Sequence, residues 1–181
     1  MKKIKLIGKI FLGCLLLLVT AVILVMVLFF SVNGKEQANK EQYLSVDSSE
    51  KSALILYQES RMGLTKKAVE IAGSTLQNEG YSVTFNHPRE DSEYNVQDYD
   101  IIVLASPVYA GQVSTPLLNY ADTQDFTDKS VFVLLTGDDL KQTAELEVMK
   151  DKVTTAAALN AIKVDKADER ISAAIKELIG R

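Results

Sequence analysis

The stretch at residues 57–72, YQESRMGLTKKAVEIA, decides the fold of this chain. An apolar run ends at Tyr57, a short polar turn with one glycine follows, and a helical pattern begins directly after that turn. A turn from strand to helix points the unpaired N–H groups of the helix's first turn at one place, where the helix dipole adds partial positive charge. Gly63 lets the backbone come close to a ligand. The turn is therefore suited to an anion such as a phosphate.

The rest of the C-terminal part alternates apolar runs with helical patterns. The runs are continuous, as expected of strands that are covered on both faces. Five strands alternating with helices predict an α/β fold with a doubly wound parallel sheet and helices on both faces. In such a fold, ligands bind at the carboxyl ends of the strands. The predicted strands are residues 53–57, 81–85, 101–105, 131–135 and 161–164.

The helix ends are predicted from capping residues. After the helix that follows Gly63, Gly80 is expected to act as a stop. Pro116 at a first helical position, after two hydroxyl residues, predicts the start of the next helix. A further helix is predicted over residues 140–158, with Asp138 or Asp139 as its cap and Gln142 in capping-box spacing. An apolar stripe over residues 171–179 predicts the last helix, with Asp165 at its start and Gly180 at its end.

The N-terminal part predicts a membrane anchor. Residues 10–30 are 21 uncharged residues, enough at about 1.5 Å per residue to cross a hydrocarbon layer of about 30 Å. A cleaved signal peptide would have a shorter apolar region and a small-residue cleavage site, and a lipoprotein cysteine at Cys14 would end the run. We therefore expect a retained single-pass helix. Four lysines in the tail at residues 1–9 place the N-terminus in the cytoplasm and the following domain outside the cell membrane.

Residues 31–51 are polar and mixed in charge, which predicts a flexible linker. Residues 52–181 are long enough for one domain. Without the four N-terminal lysines, 16 basic and 24 acidic residues remain, a net charge of −8, so nucleic acid is not an expected partner. His87 is the single histidine and is expected at the surface, with no metal site. The single cysteine lies in the predicted span, so the domain has no intrachain disulfide.

Two loops resemble a known family. Residues 60–65, SRMGLT, resemble the phosphate loop of flavodoxins, whose pattern is (Ser or Thr)-x-Thr-Gly-x-Thr after the first strand. Residues 106–111, SPVYAG, resemble the flavodoxin loop after the third strand. The resemblance covers residues 52–181 and implies a flavodoxin-like sheet with strand order 2-1-3-4-5. A response-regulator receiver shares this strand order, but it needs an acidic pair at the end of its first strand and an aspartate at the end of its third, where Gln58-Glu59 and Ala105-Ser106 stand here.

The resemblance implies that the domain binds flavin mononucleotide (FMN). The first loop would hold the phosphate through its backbone N–H groups and the hydroxyls of Ser60 and Thr65. Tyr109 would lie against the ring, and the Ala110–Gly111 peptide would bind the central ring nitrogen of the reduced flavin. The third loop would border the other edge of the ring. The implied cofactor-binding residues are Ser60, Arg61, Met62, Gly63, Leu64, Thr65, Ser106, Pro107, Val108, Tyr109, Ala110, Gly111, Thr136, Gly137 and Asp138.

Two hypotheses for function follow. The first is a membrane-anchored flavoprotein in electron transfer, or in reduction of a quinone or small molecule, with a protoporphyrinogen oxidase-like enzyme as one variant. Because no dinucleotide-binding motif is present, electrons would come from a separate redox protein or a membrane quinone. The second is a flavin-free domain of the same fold that serves as a scaffold in the cell envelope. Met62, where the family has threonine, and a third loop without an aromatic residue favour the second; Met62 is expected to fill the turn.

Overall fold

The structure is a computed structural model that describes residues 2–47, 49–89, 91 and 94–180. The chain divides into two compact units, Met1–Gly34 and Lys35–Arg181. The first unit is a single helix, α1 (Lys2–Asn33). Within it, Lys9–Leu28 is long and apolar enough to cross a membrane, and no other helix in the described residues is. The helix exceeds the predicted span because basic and polar residues extend it at both ends.

The second unit contains the predicted parallel sheet. Its five parallel strands lie in the order β3-β2-β4-β5-β6. When these five strands are numbered along the chain, this is the predicted order 2-1-3-4-5. They are β2 (Ser52–Tyr57), β3 (Ser82–Asn86), β4 (Ile101–Pro107), β5 (Ser130–Thr136) and β6 (Ala158–Val164). The helices are α2 (Leu64–Asn78), α3 (Thr115–Thr123), α4 (Ala144–Lys152) and α5 (Glu169–Ile179), with a 3₁₀ turn at Val96–Asp98.

Helices cover both faces of this sheet and make two apolar cores. Residues of α2 and α5 pack on one face with Ala53, Ile55 and Tyr57 of β2. Residues of α3 and α4 pack on the other face with Leu54 and Leu56 of the same strand. Successive side chains of a strand point to opposite faces, so both sets are buried. This explains why the strands read as continuous apolar runs.

The predicted flexible linker at residues 31–51 contains structure that the sequence did not indicate. Strand β1 (Gln42–Leu44) pairs antiparallel with β3, with Tyr43 opposite Thr84. Upstream of it, the Gln37 side chain accepts from the Glu59 N–H at 2.9 Å and donates to the Glu59 carbonyl at 3.4 Å. The sheet edge at β3 offers unpaired backbone groups, and β1 satisfies some of them. Three residues are too few to show a strand pattern.

The predicted helix over residues 140–158 is too long. Asp139 Oδ1 accepts from the N–H groups of Lys141 and Gln142, so it caps a local turn. Helix α4 therefore begins only at Ala144, with Thr143 at the N-cap position, and neither Asp138 nor Asp139 is its cap. At the other end, β6 begins at Ala158 and pairs with β5, so the predicted strand at residues 161–164 was too short. Pairing with a neighbouring strand decides this boundary, and the local sequence does not show it.

The cap of the last helix lies three residues later than predicted. Asp168 accepts from the Arg170 N–H at 3.2 Å and is the N-cap of α5. Asp165 instead accepts from Nη2 of the Arg170 side chain at 2.7 Å. Gly180 follows the helix as predicted. Ser114 stands at the N-cap position of α3, but its side chain makes no capping bond.

The expectation that His87 lies at the surface is wrong. Its side chain is buried against the end of β2, with 4% exposure. The Nδ1 atom lies 2.7 Å from the Tyr57 carbonyl oxygen. Since a carbonyl only accepts, Nδ1 carries the proton. The two rings are tilted, with centroids 4.7 Å apart. His87 therefore fixes the carboxyl end of β2 just before the first loop.

Candidate functional site

The first loop leaves β2 and enters α2 through a left-handed glycine. Gly63 is the N-cap of α2, with a φ of 70°. A side-chain carbon added there would meet nothing within 4 Å, so the backbone conformation and not close packing requires glycine. Ser60 shapes the turn by accepting twice, its carbonyl from the Gly63 N–H at 3.0 Å and its hydroxyl from the Thr65 N–H at 3.1 Å.

This loop leaves backbone donors for an anion. Among the described residues, the N–H groups of Met62 and Leu64 have no acceptor. Both lie at the positive end of the α2 dipole. The Met62 side chain is 92% exposed, so it points to solvent and does not fill the turn, contrary to expectation. The threonine hydroxyl of the family pattern is missing, but the methionine leaves the turn open.

The second loop is a tight turn at the end of β4. Tyr109 and Gln112 pair across it through two backbone hydrogen bonds. Ala110 and Gly111 between them have φ values of 47° and 74°, the left-handed pair typical of a two-residue hairpin turn. Ser106 and Pro107 lie in the strand itself. Two buried hydrogen bonds of the Ser106 hydroxyl hold the two ends of the loop together. This hydroxyl donates to the Pro107 carbonyl and accepts from the Ser114 N–H.

Tyr109 connects the second loop to the first. Its hydroxyl accepts from the Arg61 N–H at 2.8 Å. The side chain thus reaches from the hairpin turn to the turn before α2. Among the described site residues, Tyr109 is the one that offers an aromatic face to a bound ring.

The third loop follows β5 and is tied to both of the others. The Thr136 hydroxyl lies 2.7 Å from the Thr65 hydroxyl in the protein interior. The Val108 N–H donates to the Thr136 carbonyl at 2.8 Å, and the Gly137 N–H donates to the Val164 carbonyl at 3.0 Å. The structure therefore brings all three predicted loops together at the carboxyl ends of β2, β4 and β5. Thr65 turns its hydroxyl inward, where it links two loops, so the expectation that this hydroxyl holds a phosphate is wrong.

Sequence reasoning missed three side chains beside these loops. A cavity of about 320 Å³ between the second and third loops is lined by Gln142, Glu145 and Lys163 as well as by loop residues. Lys163 interrupts the apolar run of β6, and a lysine in such a run is the signal that could have been noticed. Glu145 lies in the first turn of α4, where an acidic residue is usual and attracts no attention.

Tyr57, at the carboxyl end of β2, carries no charge at neutral pH. Burial, reinforced by the negative charges of Glu59 and Glu70, raises the pKa of its hydroxyl to about 12. Its ring packs in the core under the first loop. Tyr57 thus supports the loop as an apolar group.

The residues fit a phosphate-bearing cofactor. The first loop supplies a glycine with open space around it and N–H groups without acceptors, and anions bind at such helix N-termini. The hairpin turn supplies a peptide between two left-handed residues, and a cavity lies between this turn and the third loop. A planar ring bound beside these loops would have Tyr109 on one side. The third loop has no aromatic residue to cover its other side.

Comparisons with known proteins agree with this arrangement. The family model of the flavodoxin domain matches residues 54–167, which is more than half of the chain. The flavodoxin of Streptococcus pneumonia TIGR4 is similar over 71% of this chain and 95% of its own, with 20% identity and a TM-score of 0.56. A short-chain flavodoxin associated with a non-canonical PDU bacterial microcompartment covers 72% and 97%, with 22% identity and a TM-score of 0.58. Flavodoxin 2 from Bacillus cereus is similar over 71% of this chain and 95% of its own, with 19% identity and a TM-score of 0.55. At these identities the structural likeness shows the fold alone, and no protein of curated function matches the chain.

Proposed function

Because this chain belongs to the flavodoxin domain family, we propose that its domain binds FMN and acts in electron transfer or in reduction of a quinone or small molecule. The observation that carries the proposal is the first loop. Its left-handed Gly63, its N–H groups without acceptors and its position at the start of α2 suit a phosphate.

The chain's residues have separate roles in this proposal. In the loop at residues 60–65, the N–H groups of Met62 and Leu64 hold the phosphate. Tyr109 covers one face of the ring, and the peptide between Ala110 and Gly111 faces its central part. Thr136, Gly137 and Asp138 border the other edge. FMN, when bound, supplies the capacity to take up and release electrons. Asp138 and the net charge of −8 beyond the anchor disfavour added negative charge, so they lower the reduction potential.

The proposal includes a membrane location. The apolar helix anchors the chain, with the N-terminus in the cytoplasm and the domain outside, because the basic residues cluster before the span. A membrane quinone or a separate redox protein then exchanges electrons with the domain. The apolar length of α1 and the absence of a dinucleotide-binding motif in the sequence support these partners.

Binding of FMN by the detergent-solubilised full chain tests the proposal. We expect the protein to quench FMN fluorescence, with a Kd in the micromolar range or tighter. Gly63→Val should weaken binding at least about tenfold, because a β-branched residue resists the left-handed conformation of the turn. The full chain is needed, since a fragment that begins at Ser52 lacks β1.

Gly80→Val is the matched control. Gly80 also has a positive φ, 89°, and open space around it, but it lies at the far end of α2. Both variants should lose similar stability, while only Gly63→Val should lose FMN. If the wild-type chain quenches no FMN, the proposal is wrong and the flavin-free scaffold is the better account. Equal FMN affinity in the two variants would show that the phosphate binds elsewhere.

A further inference from the structure

The cavity between the second and third loops has a charged floor. Lys163 Nζ lies 3.2 Å from Glu145 Oε1, and the two side chains are 4% and 1% exposed. The same Nζ donates to the Gln142 carbonyl at 3.0 Å. Both charged residues line the cavity of about 320 Å³. A buried ion pair is costly unless every polar atom in it is bonded, so its remaining bonding capacity is informative.

That capacity is one donor and one acceptor, side by side. Glu145 Oε2 is buried and has no hydrogen-bond partner among the described residues. A lysine ammonium has three N–H donors, and Lys163 uses two of them on Gln142 and Glu145. Buried polar atoms of folded proteins are nearly always bonded. A ligand that offers an N–H donor next to a carbonyl acceptor would complete both groups.

Neighbouring glycines give the pair room. A side-chain carbon at Gly137 would lie 3.3 Å from Lys163 Cε, and one at Gly111 would lie 2.9 Å from Gln142 Nε2 and 3.9 Å from Glu145 Oε1. The backbone of both loops therefore passes directly beside the charged pair. These are the same loops that flank the ring in the proposed function.

We propose that Glu145 and Lys163 recognise the pyrimidine-dione edge of the flavin ring, an inference that rests on the proposed function. This edge carries an imide N–H between two carbonyl groups. The Glu145 carboxylate accepts from the imide N–H, and Lys163 donates to an adjacent carbonyl. Hydrogen bonds to charged groups are the stronger kind. A metal ion does not explain the pair, since no group of three possible metal ligands occurs among the described residues.

The Glu145→Gln variant isolates the acceptor. Lys163 can only donate, so the glutamine carbonyl must face Lys163 and its NH₂ group must replace Oε2. An NH₂ group cannot accept from the imide N–H. The matched control is Glu147→Gln on the same helix, which removes the same charge from an exposed pair with Lys150. Circular dichroism and thermal unfolding show whether each variant is folded.

The experiment compares FMN with FMN methylated at the imide nitrogen, each titrated into the solubilised full chain and followed by fluorescence. The wild type should prefer FMN by about tenfold to a hundredfold, the usual effect of one hydrogen bond to a charged group. Glu145→Gln should bind FMN more weakly and lose the preference, while Glu147→Gln keeps it. If Glu145→Gln does not fold, Glu145→Asp, which keeps the charge but withdraws the carboxylate, should reduce the preference.

The outcomes separate this inference from the proposed function. A wild-type chain that binds both ligands equally well overturns the inference but leaves FMN binding intact. A preference that survives in Glu145→Gln, or that is undiminished in Glu145→Asp, also overturns it, because another group then binds the imide. A wild-type chain that binds neither ligand refutes the proposed function, and this inference with it.

Discussion

Gly73 shows how a single residue sets the distance between α2 and the sheet. It lies on the buried face of the helix, and a side-chain carbon there would come 2.1 Å from Phe85 Cζ. Phe85 is a core residue of β3, with 5% exposure. The glycine therefore makes room for the phenylalanine ring. Because α2 begins at the first loop, this contact also fixes where that loop lies over the sheet.

Gly73→Ala should destabilise the protein although alanine is the better helix former. Alanine gains about 1 kcal/mol of helix propensity over glycine, but overpacking a core costs about 1 to 3 kcal/mol, and the overlap with Phe85 is severe. We expect a lower midpoint in urea unfolding. Ser74→Ala, at an exposed position of the same helix, is the control for propensity alone and should not lower the midpoint. Phe85→Leu combined with Gly73→Ala should recover part of the loss.

At the scale of elements, long periodic patterns predicted structure well and short ones did not. The stripe of α5 and the continuous run of β4 are visible because many residues repeat the same signal. Strand β1 has three residues, and its pairing with β3 forms across the sheet edge. The start of α4 depends on which N–H groups the Asp139 carboxylate accepts from. Such contacts are decided by the folded structure, so local sequence cannot show them.

The cap of α5 should make stability depend on acid. Hydrogen bonds from the Arg170 guanidinium hold the pKa of Asp168 below its ordinary value. The charged form therefore stabilises the folded state above the unfolded pKa of about 3.9, and this contribution is lost as the pH falls through the lower folded value. Asp168→Asn keeps an acceptor for the Arg170 N–H but does not titrate.

Thermal unfolding at a series of pH values tests this expectation. The wild type should be more stable than Asp168→Asn at neutral pH, and the difference should shrink below about pH 4. When Arg170→Gln has removed the guanidinium that lowers this pKa, Asp168→Asn should cause a smaller acid-dependent difference. A gap between wild type and Asp168→Asn that stays constant down to acid pH would refute the assigned role of the carboxylate.

At the scale of the whole molecule, the sequence predicted which loops meet but not what lies beneath them. The first and second loops are local motifs, so their residues could be named in advance. Glu145 and Lys163 come from α4 and β6, and only the packed fold brings them together. Met62 and His87 were misjudged for a related reason, since the direction of a side chain depends on neighbours that are distant in sequence.

The proposed anchor gives a prediction for the full chain in cells. Alkaline carbonate washing of membranes should not release the protein, because the 20-residue span Lys9–Leu28 holds it in the lipid. In cells whose outer envelope layers have been made permeable but whose cell membrane is intact, external protease should digest the domain. Release by carbonate would contradict the anchor, whereas retention with protection from protease would place the domain in the cytoplasm.

Strand β1 has a consequence for copies that the proposed anchor holds in one bilayer. Tethered molecules diffuse in two dimensions, so their domains collide far more often than free molecules of the same copy number. An uncovered strand edge would invite neighbouring copies to add on and form chains. Strand β1 takes over the β3 edge and has only three residues, so the flank it offers to another copy is shorter than the five residues of β3, which limits such addition on that side. The opposite flank of the sheet is β6.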